Sequence, residues 1–114
     1  MSKGISYGYS GTIGHIRNVI LNLPNNPRKL LKNGWTNISH PAEIANGMMK
    51  LKEESTGLKI RFDQGRPDAN GFAKFNHYHI YNPSATSKNN IYLNKNGDPV
   101  AKGSPASHIL PEGD

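Results

Sequence analysis

Hydrophobic positions along the chain change their period near the middle. From Ile13 onward, Ile16, Ile20 and Leu23 recur at helical spacing until Pro24 stops the pattern, which predicts a helix over about 13–23. Asn26 suits a cap, Pro27 a first turn and Gly34 an end, so a second short helix is expected at Pro27–Lys32. Trp35–Ile38 reads as a short strand, with Trp35 packing in or beside the core. Ser39-His40-Pro41 then opens a third helix that carries Ile44, Met48 and Leu51 on one face and ends before Gly57.

Beyond Gly57 the alternation has period two. Leu58-Lys59-Ile60-Arg61-Phe62-Asp63 is a strand with one buried and one open face. Phe72–Asn82 reads as a long second strand and Asn90–Leu93 as a third. The turn Lys95-Asn96-Gly97-Asp98 leads to a fourth near Val100, and a last short strand is expected at His108–Leu110. Helices first and strands afterwards make an α+β layout, with N-terminal helices packed on one face of a twisted antiparallel sheet of about four or five strands. The other face is left for a site.

The 114 residues suit a single domain, 1–114, in which 1–11 is expected to be a flexible lead-in. Hydrophobic residues at 34%, with 12 Gly and 8 Pro, describe a lean, loop-rich chain. It has no cysteine, which excludes a disulfide framework, a thiol nucleophile and any Cys-based zinc site. Neither a membrane span nor a signal peptide is expected, because the apolar runs are short and no basic-then-apolar leader is present. The glycines from Gly8 to Gly14 match neither a Walker loop nor a dinucleotide fingerprint. The formal charge is +6, from 14 Lys and Arg against 8 Asp and Glu, which makes nucleic acid the leading partner class, ahead of an acidic protein or an anionic membrane.

Strand alternation then selects candidate chemistry. Lys59, Arg61 and Asp63 point away from the core, and Phe75, His77, His79 and Tyr81 share one face of the next strand. If both faces coincide, a cationic surface carries two histidines whose Cα atoms are about 6.6 Å apart, a spacing that brackets a phosphate. Metal-free RNA cleavage needs a base for the 2′-hydroxyl, an acid for the 5′-oxygen and cations for the developing charge. Histidine serves either proton role near neutral pH, and Lys59 or Arg61 supplies the charge. Phe75, Tyr78 or Tyr81 can stack a base. Two other roles for the His-x-His pair stay open: structural histidines, or ligands of a metal nuclease together with Asp63 or His108. Ser107-His108 is a candidate third histidine, Thr86, Ser87 and Lys88 form a polar loop suited to phosphate, and His15 and His40 fit structural or surface positions.

The run Phe75-Asn76-His77-Tyr78-His79-Ile80-Tyr81-Asn82-Pro83, followed by Ile91-Tyr92-Leu93-Asn94-Lys95-Asn96-Gly97-Asp98-Pro99-Val100 and Ser107-His108-Ile109, resembles the C-terminal nuclease modules of bacterial polymorphic toxins, including those of contact-dependent growth inhibition. The likeness covers the chain from Leu58 onward. It implies a helix-then-sheet fold of the barnase, EndoU and colicin type, with His77, His79 and His108 as the positions carried over. It further implies secretion as the C-terminal part of a larger effector, cleavage of RNA, most often tRNA, in the target-cell cytoplasm without a cofactor, and neutralisation by a cognate, acidic immunity protein. Some such modules also use a host factor such as elongation factor Tu, and some are DNases. A non-catalytic module binding RNA or an acidic protein is the remaining alternative.

Overall fold

In the computed structural model, which describes residues 10–112, α1 (Ile13–Leu21) starts at Thr12, whose side-chain oxygen accepts from the His15 N–H. The expected flexible lead-in, 1–11, lies almost wholly outside the described residues. Ile16 and Ile20 form the inward stripe of α1, and Leu23 and Leu30 extend it through a 3-10 helix at Pro27–Lys32, capped as expected by Asn26. The chain then runs through β1 (Trp35–Asn37), α2 (Pro41–Ala45), β2 (Met48–Glu53), β3 (Lys59–Asp63), β4 (His77–Tyr81), β5 (Tyr92–Leu93) and β6 (Pro99–Val100). These six strands make one antiparallel sheet in sequence order.

The α+β layout stands, with six strands where four or five were expected. The added strand is β2, which replaces the second half of the expected third helix. α2 is only one turn long, and Gly47, at φ 79°, reverses the chain where an L side chain would be strained. After it Met49 and Leu51 are buried while Lys50 and Lys52 alternate with them, so Ile44, Met48 and Leu51 do not share a helix face. Pairing with β1 and β3 overrode the local helical spacing.

Three further expectations shorten. Phe72–Asn82 is not one strand: Gly71–Lys74 is a 3-10 turn, and β4 begins at His77. Gly65 explains the break, since a Cβ there would sit 2.6 Å from the Lys74 carbonyl oxygen, so the chain after β3 presses against the backbone before β4. Asn90–Leu93 likewise contracts to Tyr92–Leu93 behind a 3-10 turn at Lys88–Asn90. The expected strand at His108–Leu110 contracts to one bridge, in which Tyr78 and Ile109 exchange both backbone hydrogen bonds.

The core lies on one face of the sheet, where Leu51, Leu58, Ile60, Phe62, Tyr78 and Ile80 meet α1 and Leu30. Trp35 joins it, as expected. Tyr78 is fully buried, and its hydroxyl donates to the Pro24 carbonyl at 2.6 Å, tying the end of the helical layer to the central strand. Among the described residues no helix is long and apolar enough to cross a membrane.

Candidate active site

Because Ile60, Phe62, Tyr78 and Ile80 fill the core, their neighbours Arg61, Asp63, His77 and His79 must emerge on the opposite face. The β3–β4 register sets Arg61 against His79 and Asp63 against His77, so the two faces expected to coincide do so. The bridge at Ile109 buries that side chain in the core and therefore turns His108 to the histidine side. Three imidazoles result, with ring centroids 4.8 to 5.1 Å apart. Phe72 stacks on His108 at 4.6 Å, and Tyr92 lies 4.7 Å from His79.

One carboxylate organises the cluster. Asp63 accepts two hydrogen bonds from Arg61, 2.8 Å from Nε and 2.9 Å from Nη2, and also faces His77 Nε2 at 3.3 Å and His79 Nε2 at 3.7 Å. Burial works against its charge, but His77 and Arg61 prevail and hold its pKa down to about 2. Arg61 is thus committed to Asp63, with its remaining arm 3.5 Å from the Tyr92 hydroxyl.

The histidines diverge in protonation. His77 has an acceptor at each ring nitrogen, the Phe75 carbonyl 2.9 Å from Nδ1 and Asp63 at Nε2. Only the imidazolium can donate to both. Burial pulls its pKa down, yet the Asp63 hydrogen bond, the Phe75 carbonyl and the Asp63 charge outweigh burial and leave it raised. His79 goes the other way. Burial, then the Arg61 charge, lower it to about 4 despite Asp63, and its Nδ1 is buried without a hydrogen-bond partner. His108 places Nδ1 3.1 Å from the Ser104 and Pro105 carbonyls, so that nitrogen donates, and in the neutral ring the lone pair is on Nε2.

These groups line a cavity of about 670 Å³, and Arg66, Lys102 and Tyr92 also reach its wall. Arg66 and Lys102 have no carboxylate partner among the described residues. The alternation that found Arg61 and the histidines had no access to Lys102 or Arg66, which sit in loops; their basic character was the only signal.

Other expected site residues fall elsewhere. Lys59 is exposed two positions from Arg61, opposite Lys52, and lies outside the cavity wall. Phe75 precedes β4, is 55% exposed and serves the site through its carbonyl rather than as part of the strand face. Tyr81 packs at a tilt against Tyr92, ring centroids 5.4 Å apart, with the Lys50 ammonium over its ring, at the margin. Thr86 and Lys88 belong to a self-bonded turn in which the Asn90 carboxamide bridges Thr86 and Ser87. His15 pairs with Glu53 and His40 begins α2, the structural positions expected of them.

One nitrogen from each of His77, His79 and His108 can be chosen so that all three lie within 4.8 Å of one another, so the same cluster offers a donor set for a divalent transition ion. Two of the three rings have Nδ1 held by backbone carbonyls, the outer support that ligating histidines use. Over residues 15–112 the chain matches the family model described as PT7 toxin protein. No curated protein and no solved structure matches it.

Proposed function

The chain belongs to the PT7 toxin family, and from that premise we propose that this toxin domain is a ribonuclease that cleaves RNA by histidine acid–base chemistry. The observation that carries the reading is the unequal bonding of three imidazoles around one cavity. His77 has acceptors at both ring nitrogens, and His108 offers an open Nε2. Positive net charge and two cavity-lining cations without carboxylate partners among the described residues favour a phosphate substrate.

In this mechanism Nε2 of His108 takes the proton of the 2′-hydroxyl. The 2′-oxygen forms a bond to phosphorus, the bond from phosphorus to the 5′-oxygen breaks, and His77 delivers its proton to that oxygen. The products are a 2′,3′-cyclic phosphate and a 5′-hydroxyl. Lys102 and Arg66 balance the charge on the phosphorane oxygens. His79 is the weaker base, since a group held to about 4 has little pull on a hydroxyl proton. Its neutral ring packs against both of the others and takes part in neither proton transfer. Asp63, itself fixed by Arg61, positions His77 and holds it charged.

The wider reading follows the resemblance to the nuclease modules of polymorphic toxins: action inside a target bacterium as the delivered tail of a larger effector, tRNA as substrate, an acidic immunity protein over the basic face, and elongation factor Tu as a helper. The decisive experiment incubates the domain with RNA in excess EDTA and repeats it with 2′-deoxy at the cut site. Cutting of RNA in chelator with none of the deoxy substrate is expected, and equal cutting of both sinks the mechanism.

The convergence of three imidazole nitrogens favours one second reading, a metal-dependent nuclease with His77, His79 and His108 as ligands. There EDTA abolishes activity and DNA is degraded as well.

A further inference from the structure

We propose that the groove beside the catalytic cavity, between Asn26 and Gln64, is a nucleobase subsite that seats guanine or uracil next to the scissile phosphate and disfavours adenine. The inference rests on the ribonuclease reading and adds to it a substrate preference. The groove holds about 400 Å³ and shares Met48 and Gln64 with the wall of the catalytic cavity. A shallower hollow at Asn46, Gly47 and Arg66 joins the two. A strand with its phosphate among the three histidines therefore has a continuous path for a neighbouring nucleotide, and volumes of a few hundred Å³ suit small ligands.

The lining fits a base. Pro27, Met49 and Phe62 give an apolar floor for a ring face, and the rim is polar. The hydrogen bonds already made decide what the rim has left. Asn25 Oδ1 accepts from Asn76 Nδ2 at 3.0 Å, and Asn26 Oδ1 accepts from the Arg28 N–H at 3.0 Å. Each asparagine is left with its NH2 group to present. The Arg28 guanidinium adds donors and has no partner among the described residues, and neither has the Gln64 carboxamide. A rim dominated by donors matches an edge that presents acceptors: O6 and N7 of guanine, or the carbonyl oxygens of uracil. Adenine sets an amino group beside N7 and is matched only at the Gln64 carboxamide, whose oxygen also has no partner among the described residues, while the Asn25, Asn26 and Arg28 donors face its amino group unmatched.

Gly65 supports the wall, because its missing Cβ lets the backbone after β3 close on Asn76, which in turn fixes Asn25.

The test needs no turnover. Titrate the isotope-labelled full chain with guanosine, uridine and adenosine 3′-monophosphates and follow backbone and side-chain amide resonances. The Asn25, Asn26 and Gly65 signals are expected to shift with the first two, which bind about tenfold or more tighter than the adenosine compound. Arg28→Met and Asn26→Asp, both exposed positions outside the catalytic cavity, the second keeping the oxygen that accepts from the Arg28 N–H, are expected to remove most of that difference. Equal affinity for all three nucleotides overturns the subsite, as does a preference that survives in both variants. In parallel, cut ends from a random RNA pool should be enriched in guanine or uracil over adenine at one fixed flanking position. Cutting without such enrichment overturns the subsite alone, whereas nucleotide preference in a protein that cuts no RNA overturns the ribonuclease reading alone.

Discussion

On the core side of the sheet, His15 Nε2 meets Glu53 Oε1 at 2.6 Å; on the open side, His77 Nε2 meets Asp63 Oδ2 at 3.3 Å. Both contacts join an imidazole to a carboxylate on a strand, yet their settings differ. Glu53 serves His15 and the Thr56 hydroxyl and so fastens α1 and the turn after β2 to the sheet. Asp63 serves a guanidinium and two imidazoles on a cavity wall. Asp63 holds His77 charged while burial keeps His79 neutral, and such a split is what acid–base chemistry uses. The first contact is a fastening, and the second is an arrangement of proton donors and acceptors.

The largest effect that separates them is on turnover. His77→Ala and His108→Ala should each lower RNA cleavage by about 10²–10⁴-fold, the usual range for a proton-transfer group, measured as initial rates in EDTA. His15→Ala should leave the rate within roughly twofold and appear in thermal melts, at about 1 kcal/mol, because the His15 side chain is 32% exposed. A rate loss for His15→Ala matching that of His77→Ala would erase the distinction between the two contacts.

Neutralising the carboxylates comes next. Asp63→Asn leaves Arg61 and His77 without their anion in a mostly buried setting, with a stability loss of about 2–3 kcal/mol. That is below the value for a fully buried pair, since these side chains keep some solvent contact. It should also move the alkaline limb of the rate profile to lower pH, which a purely structural role would not do. Glu53→Gln should cost less and leave the profile where it was.

Much of this contrast was legible in the chain and part was not. Leu58 to Asp63 alternates so regularly that the open face of β3 could be read directly, and His77 and His79 follow from the same rule on β4. β2 was hidden because Ile44, Met48 and Leu51 also fit helical spacing. The competing signal was the alternation of Met49 and Leu51 with Lys50 and Lys52, just after Gly47. Whether His108 joins the pair depends on the Tyr78–Ile109 bridge, a contact across 31 positions that no local period encodes. The burial of Glu53 becomes visible only once α1 brings His15 across.

Changing pH sharpens the comparison further. His77 is raised above its ordinary 6.5, so its stabilising contribution is complete below 6.5 and is lost as pH rises through the folded value; cleavage should fall over the same interval as the acid deprotonates. His79, lowered to about 4, has the opposite sign. The unfolded chain takes up its proton first, so stability should decline as pH falls from 6.5 towards 4, before Asp63 contributes below 3.8. Urea midpoints across this range test both signs. His79→Phe should flatten the decline between 6.5 and 4, and an unchanged decline would reassign it to other groups.

The smallest effect asks whether the open side acts as a cationic face or through its cavity. Lys59 and Lys102 carry the same charge, but Lys102 lines the cavity and Lys59 lies opposite Lys52, outside it. A contact made to a phosphorane oxygen is charge-assisted and worth about 1.5–3 kcal/mol, so Lys102→Ala should lower kcat/KM by roughly tenfold or more. Loss of Lys59 removes a solvated charge that acts at a distance. Its effect should stay within about twofold at moderate salt and vanish as salt rises and screening shortens its reach. Rates for the two variants measured across a salt series separate the cases. If the two losses are equal and both vanish with salt, capture depends on the whole face and the cavity cations have no special place. If the Lys102 loss persists at high salt, the charge acts within the cavity, beside the groups that Asp63 organises.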